Sequence, residues 1–247
     1  PHPILTNEDL EKIRGIDKPG FKAITLPIFY NVEEGGQGIQ DTMQNLYREA
    51  EKAINHDGVN IIILSDKGEL EQSRAPIPAL LALAGFHHFL ISAGLRTKVG
   101  LIVESGEPRT IHHFSMLIGY GAGAINPYLT FETIRQQVAE GRITHDEKKA
   151  IKNYVKATVK GVVKTMAKMG ISTVQSYRGA QIFEAVGLNT EVVDTYFTKT
   201  PSRIEGIGLD TLAEEVRKRH EAAFPPGGNK VNRGLEAGGD RKWRHDG

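Results

Sequence analysis

Between Gly58 and Gly68 lies the run Asn60-Ile-Ile-Ile-Leu-Ser-Asp66, four apolar residues in succession with no polar alternation. A strand with one wet face would alternate, so this one should be covered on both faces, as in a parallel sheet sandwiched by helices. Lys98-Val-Gly-Leu-Ile-Val-Glu104 has the same character. So does Ala23-Ile-Thr-Leu-Pro-Ile-Phe29, although Pro27 lacks an N–H and belongs at an edge or a bulge.

The intervening segments have helical period. Ile39, Met43, Leu46, Tyr47, Ala50, Ala53 and Ile54 recur every three or four residues, which predicts a helix over 39–55 with one apolar face. Pro78 stands near the start of a second helix reaching Ala93, and Gly94 follows where a left-handed cap is wanted. A third helix over 110–120 leads to a short fourth strand, Ala124-Ile-Asn126. Thr144-His-Asp-Glu147 has capping-box spacing and opens a long helix ending at Gly170. Ile171-Ser-Thr-Val-Gln-Ser176 reads as a fifth strand. Helical stretches follow over 180–186 and 191–197, and Asp210 caps another running to about Ala223.

Five strands alternating with helices define an α/β fold of parallel βα units. They fall short of the eight that close a barrel, so an incomplete TIM-barrel-like (β/α) domain with extra helices and an open sheet both fit. Residues 1–224 form this unit. Pro225-Pro-Gly-Gly-Asn229 begins a Pro/Gly-rich linker over 225–247. Pro1 in place of a methionine, and the basic aromatic ending, read as a piece of a longer chain.

Composition closes several routes. Lys and Arg number 31 against 30 Asp and Glu, a formal charge of +1, so no bulk positive field draws nucleic acid. With no cysteine, disulfides, thiolate metal sites, cysteine nucleophiles and iron–sulfur ligation are excluded from this segment. The longest apolar run, 79–86, lies within a helix and is far short of the roughly 20 residues needed to cross a bilayer. The expected location is cytoplasmic, in plastid or cytosol for a plant or an alga.

Loops after the carboxyl ends of parallel strands share one face, where ligands bind. Here they would bring together Ser65, Asp66 and Lys67, then Glu104, Ser105 and Glu107, then Asn126, then Ser176, Tyr177, Arg178 and Gln181. Arg178, with the N–H groups from Gly179, suits a carboxylate or phosphate, so the face reads either as a site for an anionic or amide-bearing partner or as ordinary loop polarity. The pairs His87-His88 and His112-His113 lie in predicted helices, where neighbours diverge by about 100°, which favours structural roles over metal ligation. Neither Gly-rich stretch, 34–38 or 119–123, completes a nucleotide fingerprint, and the second suits a tight helix-to-strand turn. Lysines at every fourth position from Lys148 to Lys168 oppose Ile151, Val155, Val159, Val162 and Met166. That is a solvated helix face, with docking of an acidic electron carrier as the alternative. No nucleophile–base–acid order or paired carboxylate stands out.

At this face the chain resembles a known family. The segments Glu104-Ser-Gly-Glu-Pro-Arg-Thr-Ile-His-His113, Gly119-Tyr-Gly-Ala-Gly-Ala-Ile-Asn-Pro-Tyr128 and 168–187, with Leu64-Ser-Asp-Lys-Gly68, Ala75-Pro-Ile-Pro-Ala-Leu80 and 200–208, resemble the large subunit of glutamate synthase, at its central domain. The tail over 238–247 is similar to the stretch leading into that family's synthase domain. The resemblance implies a barrel-related interdomain element between a glutaminase domain and an FMN-binding synthase domain. The parent would make glutamate from glutamine and 2-oxoglutarate, with FMN and a [3Fe-4S] cluster held elsewhere in it and electrons from a small NADPH-oxidising subunit, NADH or ferredoxin. It implies no catalytic residue and no bound cofactor or metal in this segment. The strand-end face, Ser65, Asp66, Glu104, Ser105, Asn126, Ser176, Tyr177, Arg178 and Gln181, would pack on the neighbouring domains and help shield ammonia. An independent aldolase-like enzyme binding a phosphate at that face is the other reading.

Overall fold

The computed structural model describes residues 2–68 and 73–225. Its centre is a parallel sheet of β1 (Ala23–Pro27), β3 (Ile61–Ser65), β5 (Gly100–Glu104) and β6 (Ala124–Asn126), in that order. Register is continuous, with Ile24 opposite Ile62, Ile62 opposite Leu101 and Ile102 opposite Ala124. The strands follow one another across the sheet as they do along the chain, without the reversal that marks a doubly wound sheet.

The unbroken apolar run of β3 is explained by cover on both faces. On one side Leu26, Ile62, Leu64, Leu101, Val103 and Ile125 join the main core with side chains of α2 (Gly35–His56), α3 (Ala79–Ser92) and α4 (Ile111–Gly119). On the other, Ile63 and Ile102 pack against Leu10 of α1 (Asn7–Arg14), flanked by Ile13, Ile61 and Ala124. Full burial of an aliphatic side chain of this size stabilises by about 1.5–3 kcal/mol. Pro27 ends an edge strand, where its missing N–H would face away from β3, and the ladder continues through Ile28, which donates to Ser65 O at 2.9 Å. The chain then turns into β2 (Phe29–Asn31), which pairs antiparallel with β4 (Arg74–Pro76).

After β6 come α5 (Tyr128–Ala139), α6 (Glu147–Lys168), α7 (Val174–Tyr177), β7 (Ala185–Leu188), α8 (Thr190–Tyr196), β8 (Ser202–Ile207) and α9 (Leu209–Ala223). The lysines at every fourth position of α6, from Lys148 to Lys168, are exposed, while Val155, Val162 and Met166 are buried, as expected for a solvated face. β7 and β8 form a separate parallel pair.

Four expectations are corrected. Residues 171–176 are not a strand. Gly170, at φ 70°, stops α6, and the Thr173 hydroxyl accepts from Ser176 N at 3.2 Å, so a local cap wins over strand pairing. Residues 180–186 are not helical, because positive φ at Gly179, Gln181 and Gly187 breaks the segment into a loop and β7. The cap of α6 is Asp146, which accepts from Lys149 N at 2.9 Å, two residues later than the Thr144 spacing implies. Asp210 lies within the first turn of α9 and accepts from Gly36 N at 3.2 Å, tying α9 to the start of α2. The linker over 225–247 lies, from Pro226 on, outside the described residues. Among the described residues no helix is long and apolar enough to cross a membrane.

Candidate functional site

Because side chains alternate along a strand, Thr25, Ser65, Glu104 and Asn126 all point to the face that α1 covers. Glu104 is buried there at 2% exposure, where an isolated carboxylate would be costly. Three groups hold it. Arg14 Nη2 lies 2.8 Å from Oε2, the Ser65 hydroxyl donates to the same oxygen at 2.6 Å, and Lys67 Nζ stands 3.8 Å from Oε1. Arg14 Nη1 also donates to the Thr25 hydroxyl, so one guanidinium joins α1, β1 and β5. Desolvation works against the Arg14 charge, but the bond and charge of Glu104 outweigh it and its pKa rises.

Asp66, 5% exposed, holds the next loop. Its Oδ2 accepts from Ser105 Oγ at 2.5 Å and its Oδ1 from Gly106 N at 3.0 Å. Burial pushes this carboxyl above the usual carboxylate range, against the pull of those bonds. The Tyr128 hydroxyl donates to Asp66 O at 3.4 Å, and Lys67 sits 5.7 Å from the Tyr128 ring centroid. Asn126 Nδ2 donates to Leu5 O at 3.0 Å and to Asn7 Oδ1 at 2.9 Å, fastening the N-terminal segment. Its buried Oδ1 has no hydrogen-bond partner among the described residues.

Beside this network opens a cavity of about 590 Å3. Asp66 and Glu107 supply its acidic groups, Leu80, Met116, Leu117 and Leu129 much of its apolar wall, and Arg109 and Arg219 its cations. Glu107 accepts from Ala79 N at 3.0 Å, capping α3, and desolvation raises its pKa. Leu129 is 51% exposed. The serine hydroxyls at this face donate to buried carboxylates that other donors also hold, and both oxygens of Asp66 are engaged. The arrangement fixes loops and presents a shaped surface.

Ser65, Asp66, Glu104, Ser105 and Asn126 are thus brought together as the strand order requires, whereas Ser176, Tyr177, Arg178 and Gln181 are not. With no fifth strand to carry them to this face, Ser176 and Tyr177 lie in α7, which packs against α4, and Arg178 and Gln181 follow it. Gly179 N donates to Gly119 O at 2.8 Å, and Tyr177, fully buried, donates its hydroxyl to Ser115 O at 3.2 Å. The histidines take the structural roles their spacing favours. His87 Nδ1 accepts from Arg96 Nε at 2.9 Å, and His113 Nδ1 accepts from Arg109 N at 3.1 Å and, closing a capping box for α4, from Thr110 N at 3.5 Å. Sequence reasoning missed Arg14, whose partner lies 90 residues away. It also missed Tyr128.

The site therefore marks an α/β chain whose strand-end polar groups build structure. A family model described as the glutamate synthase central domain matches residues 1–189, and the chain belongs to that family. It is 47% identical over 245 residues to the glutamate synthase [NADPH] large chain of Bacillus subtilis, covering 99% of this chain and 16% of that one. It is 39% identical to the glutamate synthase [NADH] of Schizosaccharomyces pombe, covering 91% of this chain and 11% of that one. Against the chloroplastic ferredoxin-dependent glutamate synthase of Spinacia oleracea it is 40% identical, over 91% and 14% of the two. The chain spans 16% or less of the length of these three relatives. Among solved structures, the recombinant flavin-binding domain of baker's yeast flavocytochrome b2 aligns at a TM-score of 0.44 and 17% identity, over 82% of this chain and 46% of that one, a likeness too loose to bear on function.

Proposed function

We propose that this chain is the central, noncatalytic part of a glutamate synthase, joining a glutaminase domain to an FMN-binding synthase domain and shielding the ammonia that passes between them. In this reading the four parallel strands are an incomplete (β/α) barrel, residues 1–224 are the interdomain unit and 225–247 lead on toward the synthase domain. The parent oxidises NADPH, NADH or ferredoxin, in cytosol or plastid. The observation that carries the reading is the closed bonding of the strand-end carboxylates. Glu104 is held by Arg14 and Ser65, and Asp66 by Ser105 and Gly106, which supports a face that supplies shape to neighbours owning the reactive groups.

The iron–sulfur cluster of the parent does not fit the residues of this segment. The sequence holds no cysteine to ligate an iron–sulfur cluster, and among the described residues no group of three or more His, Cys, Asp or Glu could hold a metal ion. The strand-end cavity sets Asp66 and Glu107 beside Arg109 and Arg219, a mixed lining rather than the cationic one that suits a phosphate. The exposed Leu129 and the apolar wall behind it suit a protein neighbour. In a complete subunit, the Asp66→Asn, Glu107→Gln double variant should keep glutamine hydrolysis and flavin reduction, each assayed alone, within about twofold of the parent. Loss of either half-reaction by about 100-fold or more would instead assign chemistry to this face.

A further inference from the structure

A second cavity, of about 680 Å3, lies between α2, α3 and α8, away from the strand-end face. Tyr47 and Phe89 line it and stack on each other, with centroids 4.4 Å apart and planes 9° from parallel. Its polar lining includes His87, His88, Lys199 and the amides of Gln40, Gln44 and Gln181, and among the described residues lining it none is acidic. Asp41 and Asp194, each next in sequence to a lining residue, do not line it.

The charge behind it has one sign. Arg96 donates Nε to His87 Nδ1, which leaves His87 with Nε2–H as its free donor. Arg178 stands close enough to both to disfavour their charged forms, and its buried Nε has no hydrogen-bond partner among the described residues. Burial and the neighbouring Arg96 push His87 down to about 4, and burial with Lys199 pushes His88 down.

The backbone carries a second, independent signal. Gln181, at φ 54°, and Lys199, at φ 64°, are the only non-glycine residues with positive φ among the described residues. Both line this cavity, and Gln181 Nε2 donates to Lys199 O at 3.4 Å. Neither type favours the left-handed region, and strain of this kind is retained where the surrounding structure enforces it, often at ligand sites.

We propose that this cavity binds a small organic anion, whose carboxylate or phosphate meets Lys199, His88 and His87 Nε2–H while its carbon skeleton lies against Tyr47 and Phe89. A point charge, two neutral imidazoles and side-chain amides satisfy an oxyanion without burying a competing carboxylate. The site is separate from the strand-end face and does not depend on the interdomain role.

Calorimetric titration of the full-length protein with citrate, AMP and adenosine at matched ionic strength tests it. Citrate or AMP should bind saturably and adenosine should not, and the tighter of the two anions tells carboxylate from phosphate. Lys199→Gly removes the charge and relieves the positive φ, so it should fold at least as stably as the parent while weakening binding by about tenfold or more. His88→Gln should weaken it as well. The proposal is overturned if neither anion saturates below about 10 mM, if adenosine binds as tightly as AMP, or if Lys199→Gly leaves the affinity unchanged.

Discussion

Arg14 and Glu104, 90 residues apart in the chain, meet at 2.8 Å on one face of the parallel sheet and fasten α1 over it. The carboxylate is buried and the guanidinium is 30% exposed on its side chain. Arg14→Ala would leave Glu104 with Ser65 and a lysine 3.8 Å away, so it should destabilise by about 3 kcal/mol in urea unfolding. Arg14→Lys should recover only part of that, because an ammonium cannot reach Thr25 and Glu104 in the same forked geometry. A loss under about 0.5 kcal/mol for Arg14→Ala would show that α1 is held by its apolar side alone.

The buried imidazole of His87 gives the fold a dependence on acid. Burial, then Arg96 and His88, hold it neutral down to about pH 4, against an ordinary value near 6.5. Its folded pKa is depressed, so its stabilising contribution is present above pH 6.5 and is lost as pH falls toward 4, when the unfolded chain takes up a proton that the folded one refuses. The expected loss is roughly 3 kcal/mol over that window. His88 and His113 are shifted the same way, so the useful quantity is the difference between parent and His87→Gln. The variant should be less stable at pH 7 and should lose less on acidification. Parallel stability curves would remove His87 from the account.

Gly121 is irreplaceable for two reasons that act together. Its φ is 113°, and a Cβ there would overlap Nδ1 of His87, the atom that receives the Arg96 bond. Gly121→Ala should therefore cost about 3 kcal/mol or more in chemical denaturation. Gly58→Ala, at φ 70° with nothing within 4 Å of the added carbon, should cost only its backbone strain, about 1 kcal/mol. Equal losses at the two positions would mean that contact with His87 is unimportant.

Much of the architecture can be read from the residues. The unbroken apolar runs of β3 and β5, and the spacing from Ile39 to Ile54, report burial on two faces and on one, and the structure follows them. Ser65, Asp66, Glu104, Ser105 and Asn126 are legible as a group because a residue just past a parallel strand must lie at its carboxyl end. Arg178 and its neighbours are misplaced by sequence reasoning because Ile171-Ser-Thr-Val resembles a strand until the Thr173 hydroxyl turns it into a capped helical turn. β7 and β8 leave no trace in the sequence pattern because Val186 and Ile204 are 67% and 59% exposed and each strand contains a glycine, so no burial pattern marks them. The glycines have their own reason, since a Cβ at Gly206 would overlap the backbone of Gly187. The role of Arg14 depends on a pairing across the fold that no local pattern encodes.

The central claim is that the strand-end face serves neighbouring domains by shape, and one ratio tests it. In a complete glutamate synthase subunit, Leu129→Asp places a charge on the exposed apolar lip of the cavity while leaving the Glu104 and Asp66 networks in place. Glutamine consumed and glutamate formed should be measured together, with Arg178→Ala, away from that face, as the comparison. The account predicts excess glutamine hydrolysis per glutamate formed for Leu129→Asp and unchanged stoichiometry for Arg178→Ala. Stoichiometry that stays tight when Leu129 is replaced would contradict it.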